Sequence, residues 1–393
     1  GLSAMLLFYR RLTAATPEEA AGTAVLTRYT LRLLTIQQFE RAATMICAAN
    51  VVSAQYPKFE MHIAFTIGLF VGGAATPNYL KRAAEIIAGE GDDDQCTTLP
   101  IQKCPWCKGD LHEHQQSITK NTAELITPCS NTDCDFNSGL PIAIVDEQIY
   151  AHPPSIVIGT VDKFAMMAWK PDIKVLFGSG ASRPDLIIQD ELHLISDALG
   201  TVTSLYEGAI DYLTQTEKGR VKIVGSTATI RRAEEHVRKL FNRKLAQFPP
   251  SGISASDSFF YQVDDTQDRL YVGLHCQGRS PKHSLSRLSG NISQANMYLD
   301  DDSKDPFYTL VMYFNSLREL GGALVLLEDD VPRYLSSLPL PPEQAIRQLI
   351  QKQELTSQLN QQQLGEILEQ LDISKDKDPD NPAVDVVLST NMI

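Results

Sequence analysis

The chain has 393 residues, of which 43% are hydrophobic, and it carries a formal charge of −13. That length suits two or three domains with ordinary hydrophobic cores. The charge excludes a generally basic protein that wraps nucleic acid, so any contact with DNA or RNA requires a local cleft. No apolar run approaches the roughly 20 residues that span a bilayer, and no signal-peptide pattern opens the chain. We therefore expect a cytoplasmic protein without a membrane partner.

Both ends of the chain lie inside apolar patterns. Gly1 is not an initiator methionine, and residues 2–12 resemble the middle of a helix with no capping residue before them. The chain stops at Ile393, just after the apolar run 384–388. We expect an internal fragment of a longer protein.

Short apolar runs alternate with helical patterns through the first 250 residues. The pairs of strand and helix are 23–26 with 33–51, 67–71 with 79–88, 155–158 with 161–169, 185–188 with 202–213, and 221–224 with 231–241. This alternation predicts a parallel sheet with helices on both faces.

A second, shorter set of apolar runs follows a linker that begins at residues 248–252. The runs are 270–274, 309–314 and 384–388. The predicted fold is therefore α/β, with two tandem parallel-sheet units at 1–250 and 251–393, incomplete at the N-terminus and C-terminus respectively. The Gln-rich segment 342–371 keeps near-helical spacing of its apolar residues, which favours packed helices over a disordered tract.

Residues 96–140 interrupt the first unit, and four cysteines cluster there. Cys104 and Cys107 have two residues between them, Cys129 and Cys134 have four, and 21 residues separate the pairs. Four thiolates at this spacing predict a tetrahedral, structural zinc site with no open position for a substrate. The metal would hold together an insertion too short to build its own core.

Two other interpretations of these cysteines stay open. The pairs could be unrelated, or the first could be a redox C-x-x-C motif. His112, His114 and Cys96 are close enough in sequence to replace one of the four ligands.

An acidic pair, Asp190 and Glu191, follows the largely apolar run 184–188 and precedes His193. Ligands of open parallel sheets bind at the carboxyl edge of the strands, where this pair is predicted to lie. In nucleotide hydrolases an Asp at this edge helps to hold magnesium. The alternative is an acidic pair that only favours the start of a helix.

Polar or glycine residues also follow the other strands. In chain order they are Arg28, Thr30 and Arg32; Gly72 and Gly73; Thr160 and Lys163; and Ser226 and Thr227. Hydroxyl and basic groups at a carboxyl edge suit phosphate oxygens, and glycines let a backbone approach a ligand closely. Each of them, taken alone, is also consistent with a helix cap or a plain turn.

The order of these groups resembles motifs Ia, Gly doublet, Ib, II and III of superfamily-two helicases. In the second unit Phe314-Asn315-Ser316 resembles motif IV, and Ser389-Thr390-Asn391 resembles the opening of motif V. The amino-acid sequence in and around these motifs is similar to that of the helicase subunits of the DISARM phage-defence system. This resemblance extends over nearly the whole chain.

The resemblance implies two RecA-like lobes with ATP and magnesium between them and a DNA strand across both, in an ATP-dependent DNA translocase that works with a second DISARM subunit. It assigns catalysis and coupling to Asp190, Glu191, His193, Ser226 and Thr227. It assigns contacts with the strand to Arg28, Thr30, Arg32, Gly72, Gly73, Thr160, Lys163, Asn315, Ser316, Ser389 and Thr390.

The chain also departs from the helicase pattern. It contains no G-x-x-x-x-G-K-[ST] loop for the phosphates and no arginine-bearing motif VI, so by itself it is expected to be inactive. The alternative function is a non-catalytic scaffold that holds nucleic acid for a nuclease or methylase partner. A Gly-Lys-Thr loop upstream of Gly1 would favour the motor.

Overall fold

The computed structural model describes most of the chain. The described residues are 1–30, 32–56, 63–73, 75–89, 99–112, 115–119, 123–178, 182–217, 219–227, 230–250, 252–254, 257–262, 270–341, 344–356, 358–359, 361–374 and 382–390. The described side chains exclude those of 32–34, 257–258, 261–262, 301 and 361–362. The chain divides into two compact units, Gly1–Phe248 and Pro249–Ile393.

A six-stranded sheet forms the centre of the first unit, with its strands in the spatial order 142–143, 67–70, 156–160, 25–29, 186–189 and 222–225. All neighbouring strands in it pair in parallel. The strands are β1 Val25–Tyr29, β2 Ile67–Phe70, β5 Ile142–Ala143, β6 Ile156–Thr160, β7 Leu186–Gln189 and β8 Lys222–Gly225. The helices are α1 Leu2–Thr13, α2 Pro17–Ala20, α3 Arg32–Ala54, α4 Leu80–Ile87, α5 Asp146–Ala151, α6 Val161–Ala165, α7 Asp197–Thr214 and α8 Ala233–Phe241.

The central strands are buried on both faces, as expected of a parallel sheet between helices. Successive residues of a strand point to opposite faces. Val25 of β1 therefore packs into the core that contains α1 and α3, whereas Leu26 packs into the core that contains α5 and α6. The predicted α/β fold with parallel sheets is confirmed.

The cysteine insertion shares the core of the first unit. It contains the antiparallel hairpin β3 Ser117–Thr119 and β4 Glu124–Ile126. Leu111 and Phe136 of the insertion belong to the same buried cluster as residues of α3. Thr44 of α3 also donates a hydrogen bond of 2.9 Å to the carbonyl of Pro105. The insertion therefore packs against α3 through its own apolar residues.

The second unit contains a parallel three-stranded sheet with strand order β11-β13-β12. The strands are β9 Asp257–Ser258, β10 Tyr261–Gln262, β11 Leu310–Phe314, β12 Lys352–Leu355 and β13 Val386–Thr390. The helices are α9 Pro281–Ala295, α10 Asp301–Lys304, α11 Leu317–Val325, α12 Val331–Ser336 and α13 Gln361–Leu371, with a π-helical turn at Leu326–Asp330.

Two predictions for this unit were wrong. Residues 270–274 form no strand, and the large apolar side chains among them are 61–88% exposed, because no neighbouring strand pairs with this apolar run. Among the described residues of the Gln-rich segment, the predicted helical structure is present only in α13. Lys352–Leu355 is instead a strand, because it pairs in parallel with Val386–Ser389 of β13. Among the described residues, no helix combines the length and apolar character needed to cross a membrane.

Candidate active site and metal centre

The acidic motif begins where β7 ends, at the carboxyl edge of the first sheet. The N–H of Asp190 donates to the carbonyl of Arg28 at 3.0 Å, which ties it to β1. On the other side, the N–H of Ser226 donates to the carbonyl of Gln189 at 2.9 Å. The N–H of Leu192 in turn donates to the carbonyl of Ser226 at 3.0 Å. Backbone hydrogen bonds from both neighbouring strands therefore fix the position of the motif.

Glu191 has a left-handed backbone conformation, with φ of 47°. This conformation is uncommon for a residue with a side chain, and such strain clusters at functional sites. Its N–H donates to Oδ1 of Asp190 at 3.0 Å. Its Oε2 lies 3.2 Å from Nδ1 of His193, and the same nitrogen lies 3.0 Å from Oγ1 of Thr227. The imidazole therefore joins the carboxylate to a hydroxyl that follows β8.

These groups remain accessible to a ligand. The side chains of Glu191 and His193 are 28% and 35% exposed. Tyr29 lies buried beside the motif, where burial and the negative charge of Asp190 raise its pKa to about 12. Its phenol therefore stays protonated at neutral pH, next to an open carboxylate.

Sequence reasoning missed two residues that shape this turn. Gln189 is fully buried, and its amide donates to the carbonyls of Arg28 at 3.3 Å and Asp190 at 2.9 Å. Gly225 leaves room for Leu192, because a Cβ there would lie 2.9 Å from Cδ2 of that leucine. A polar amide that ends a buried strand is the signal that could have identified Gln189.

Arg28 was predicted to contact a nucleic-acid strand, and the structure corrects this. Its side chain is 1% exposed and forms an ion pair with Glu207 of α7, which is itself buried. Burial raises the pKa of Glu207, and the positive charge of Arg28 opposes that rise. The guanidinium is therefore paired in the interior of the first unit, where solvent does not reach it.

Lys163 requires the same correction. Its Nζ lies 2.6 Å from Oδ2 of Asp146, donates to Oδ1 of Asn78 at 2.9 Å, and lies 5.1 Å from the centre of the Phe70 ring. Burial raises the pKa of Asp146 and lowers that of Lys163, while their pairing opposes both shifts. The ammonium group fastens α6 to α5 and to the loop after β2.

The Gly doublet lies in that same loop. A Cβ on Gly73 would lie 2.9 Å from Nδ2 of Asn78, so glycine lets the loop close over this side chain. Thr160 is buried at the end of β6, and the buried Oγ1 of Thr30 has no hydrogen-bond partner among the described atoms. The side chain of Arg32 lies outside the described residues.

In the second unit, the predicted strand-contact residues meet at one edge of the sheet. Phe314 and Thr390 are aligned partners of β11 and β13, so Asn315, which follows β11, comes next to the end of β13 at Thr390. Ser316 caps α11, since its Oγ accepts the N–H of Glu319 at 3.3 Å while Oε2 of Glu319 accepts the N–H of Asn315 at 3.2 Å. The Ser316 hydroxyl is an N-cap of α11, which accounts for this residue without a ligand.

Ser389 is buried in β13, and its hydroxyl donates to the carbonyl of Thr390 at 3.0 Å. Asn391, which completed the resemblance to motif V, lies outside the described residues.

The four cysteines of the insertion converge on one point. Their sulfur atoms all lie within 4.8 Å of one another. Cys104 and Cys134 are 3.9 Å apart, and Cys107 and Cys129 are 3.4 Å apart. Zinc–sulfur bonds of about 2.3 Å in a tetrahedron place sulfurs roughly 3.8 Å apart. The donor set and its spacing therefore fit a zinc ion.

The backbone around the first cysteine pair has the form of a metal-binding turn. Lys108 has φ of 63°, and its N–H donates to the carbonyl of Cys104 at 2.9 Å. A hydrogen bond from the backbone of Gly109 lowers the pKa of Cys107 to about 7, whereas burial raises the pKa of Cys129 to about 12. A Cβ on Gly109 would lie 3.4 Å from the Cys107 sulfur. His114 and Cys96 lie outside the described residues, and His112 is not part of the four-sulfur cluster.

The parallel sheets and their flanking helices give this chain the α/β fold found in RecA-like helicases. Its fold is similar to that of the helicase Lhr of Mycobacterium smegmatis, solved with bound ssDNA and AMP-PNP, with a TM-score of 0.50 and 15% identity over 100% of this chain and 36% of that one. The helicase MrfA is a weaker match, with a TM-score of 0.40 and 11% identity over 94% of this chain and 42% of that one.

The sequence also matches a particular protein along its whole length. It is 36% identical to the DISARM protein DrmA of Bacillus paralicheniformis over 458 aligned positions, which cover 100% of this chain and 40% of that protein. The predicted resemblance to the DISARM helicase subunit is confirmed. The chain thus spans less than half the length of this relative. No protein-family model matches the chain.

Proposed function

We propose that the chain is part of an ATP-dependent helicase or translocase of a bacterial anti-phage defence system. The observation that carries the proposal is the linked group of Glu191, His193 and Thr227 at the carboxyl edge of the first sheet, beside Asp190. The similarity to a DISARM protein over the whole chain supports the defence role. Because the chain spans 40% of that relative, the activity is proposed for a protein of the relative's full length.

In this proposal ATP is the substrate and the two carboxylates have different roles. Asp190, held in place from both neighbouring strands, would hold magnesium, which neutralises charge on the phosphates. Glu191 would accept a proton from the attacking water, since its carboxylate is accessible and lies 3.2 Å from the imidazole of His193.

Coupling to the nucleic acid would pass through His193. Its Nδ1 contacts both Glu191 and Thr227, so a change of charge at the carboxylate alters the partner of the hydroxyl after β8. Ser226 follows the same strand, and its carbonyl accepts the N–H of Leu192. Movement of the acidic turn would therefore shift the end of β8.

We also propose the remaining features of the complete protein. The backbone at Gly72 and Gly73, with Asn315 and Thr390, would contact a single strand of DNA without sequence preference. The four cysteines would hold a structural zinc. The six described cysteines are all free, which suits the reducing cytoplasm. A second DISARM subunit is the proposed partner.

The test is the substitution Glu191→Gln in a protein as long as the Bacillus relative, in which this chain forms the segment that aligns with it. ATP binding should be retained, and DNA-stimulated hydrolysis should fall by about 10²–10⁴-fold because an amide cannot accept the proton. Glu234→Gln, an exposed change in the first turn of α8, is the matched control and should hydrolyse ATP at the normal rate.

Two outcomes would contradict the motor. Unchanged hydrolysis in Glu191→Gln would remove the catalytic role of this carboxylate. A full-length protein that binds DNA but hydrolyses no ATP would favour the scaffold function.

A further inference from the structure

The second unit contains a cavity of about 550 Å³ between the start of α9 and the segment 326–337. Among the described residues that line it, four are basic and one is acidic. The basic residues are Lys282, His283, Arg287 and Arg333, and the acidic residue is Asp330.

This concentration of positive charge is unexpected, because the second unit as a whole has a negative net charge. Residues 249–393 contain 11 Lys and Arg and 21 Asp and Glu, so the unit is strongly acidic. Three of its 11 Lys and Arg nevertheless line one cavity. Within the described part of the chain, no carboxylate forms an ion pair with Lys282, Arg287 or Arg333. Their charge is therefore available to a ligand.

The guanidinium of Arg287 is held in position before any ligand binds. It lies 3.9 Å from the centre of the Tyr334 ring, stacked on its face. The hydroxyl of Tyr334 donates to Oδ1 of Asn291 at 2.8 Å, and a Cβ on Gly290 would lie only 2.9 Å from the ring. A stacked guanidinium keeps its edge N–H groups free for bidentate bonds to a phosphate.

The opposite wall depends on the π-helical turn at Leu326–Asp330. The extra residue of a π-turn changes which side chains a helix presents, and such turns occur often at functional sites. Leu326, Asp330 and Arg333 all line the cavity, so the turn and the helix after it face α9 together.

We propose that this cavity binds phosphate groups of a single-stranded nucleic-acid backbone. The chemistry that recognises the ligand is a stacked arginine, a second arginine and a lysine converging on one space. This inference rests on the proposed function, because it adds a strand contact to the same protein outside the helicase motifs.

The test is the double variant Arg287→Ala with Arg333→Ala, in binding of the purified chain to fluorescent single-stranded DNA without nucleotide over a salt series. The slope of log affinity against log salt should fall by about 0.7 for each arginine that contacts a phosphate. Between 1 M and 0.1 M salt, each phosphate contact raises the affinity by about fivefold. At 0.1 M salt the double variant should therefore bind roughly 25-fold more weakly than the wild type. The matched control, Lys304→Ala with Lys352→Ala, removes equal charge from the same unit outside the cavity and should bind like the wild type.

Arg287→Lys separates a built site from general attraction. It keeps the charge but loses the planar stacking and the bidentate geometry, so it should keep the salt slope yet bind more weakly than the wild type. A lysine variant that binds like the wild type would contradict the inference. So would unchanged affinity and slope in the double arginine variant.

A third measurement is the binding of inorganic pyrophosphate to the wild type and to the double arginine variant. If the double variant loses pyrophosphate binding but keeps full DNA affinity, the cavity binds free phosphates and the nucleic-acid assignment is overturned. These binding measurements need no ATP hydrolysis. A negative result here would refute only the cavity as a phosphate site, whereas normal hydrolysis in Glu191→Gln would refute only the proposed catalytic role.

Discussion

Arg28 and Glu207 place two charges in the interior of the first unit. Only part of the guanidinium is satisfied, because its Nε and Nη2 atoms have no hydrogen-bond partner among the described atoms. Taking two charges out of water costs several kcal/mol each, which a single ion pair offsets incompletely. The pair therefore specifies the position of α7 against β1 more than it stabilises the fold.

Removing one partner should be far more damaging than removing both. Glu207→Gln leaves a buried guanidinium without a countercharge and should lower the free energy of unfolding by about 3–5 kcal/mol. Arg28→Met with Glu207→Leu removes both charges at similar volume and should lie close to the wild type. Urea unfolding of the three proteins measures both effects. A double variant no more stable than the single one would show that the ion pair itself holds the fold.

At the scale of elements, Asp211 links three segments of the first unit. From α7 it accepts a hydrogen bond of 2.7 Å from Arg220, before β8, and it pairs with Arg243, after α8. Burial alone would raise the pKa of Asp211, but the hydrogen bonds and charges of the two arginines outweigh it, so the pKa lies below its usual value.

This shift predicts a dependence of stability on pH. A carboxylate with a lowered folded pKa adds stability that is fully present above its unfolded pKa of about 3.9 and is lost as the pH falls through the folded pKa. Asp211→Asn should therefore destabilise the chain by about 1–2 kcal/mol at pH 7, with the difference shrinking below pH 4. Thermal unfolding from pH 2 to pH 7 measures it. An equal difference at every pH would mean that the carboxylate charge is not responsible.

The cysteine insertion gives a second prediction at this scale, because it packs against the core of the first unit. Because its apolar residues share the core that contains α3, loss of the metal should loosen this core as well as the insertion. Cys104→Ser with Cys107→Ser should reduce bound zinc from about one per chain to none and lower the unfolding temperature. Metal analysis and thermal unfolding measure the two effects.

Cys276→Ser is the matched control, because this free cysteine is not part of the four-sulfur cluster. It should keep its zinc and its unfolding temperature. Full zinc content in the double serine variant would refute the assignment.

At the scale of the whole molecule, the charge is unevenly distributed. Residues 1–248 contain 24 Lys and Arg and 27 Asp and Glu, while residues 249–393 contain 11 and 21. Most of the net charge of −13 therefore belongs to the second unit. Against this acidic background, the cavity beside α9 brings together Lys282, Arg287 and Arg333.

The sequence by itself determined the parallel α/β fold, the cysteine cluster and the position of the acidic turn. These features depend on local information: alternating apolar runs, the spacing of cysteine pairs and polar residues that end buried strands. The strand Lys352–Leu355 escaped prediction because its Gln-rich sequence carries no such pattern and its pairing with β13 is non-local.

Only the tertiary structure decided which charged residues face solvent. Arg28 lies near the end of β1 and pairs with Glu207, 179 residues away in the chain. Lys163 follows β6, pairs with Asp146 and donates a hydrogen bond to Asn78, 85 residues away. The cavity likewise forms because α9 meets a helix about 50 residues later. Whether a charge is free or paired depends on such distant neighbours, and local sequence spacing does not encode them.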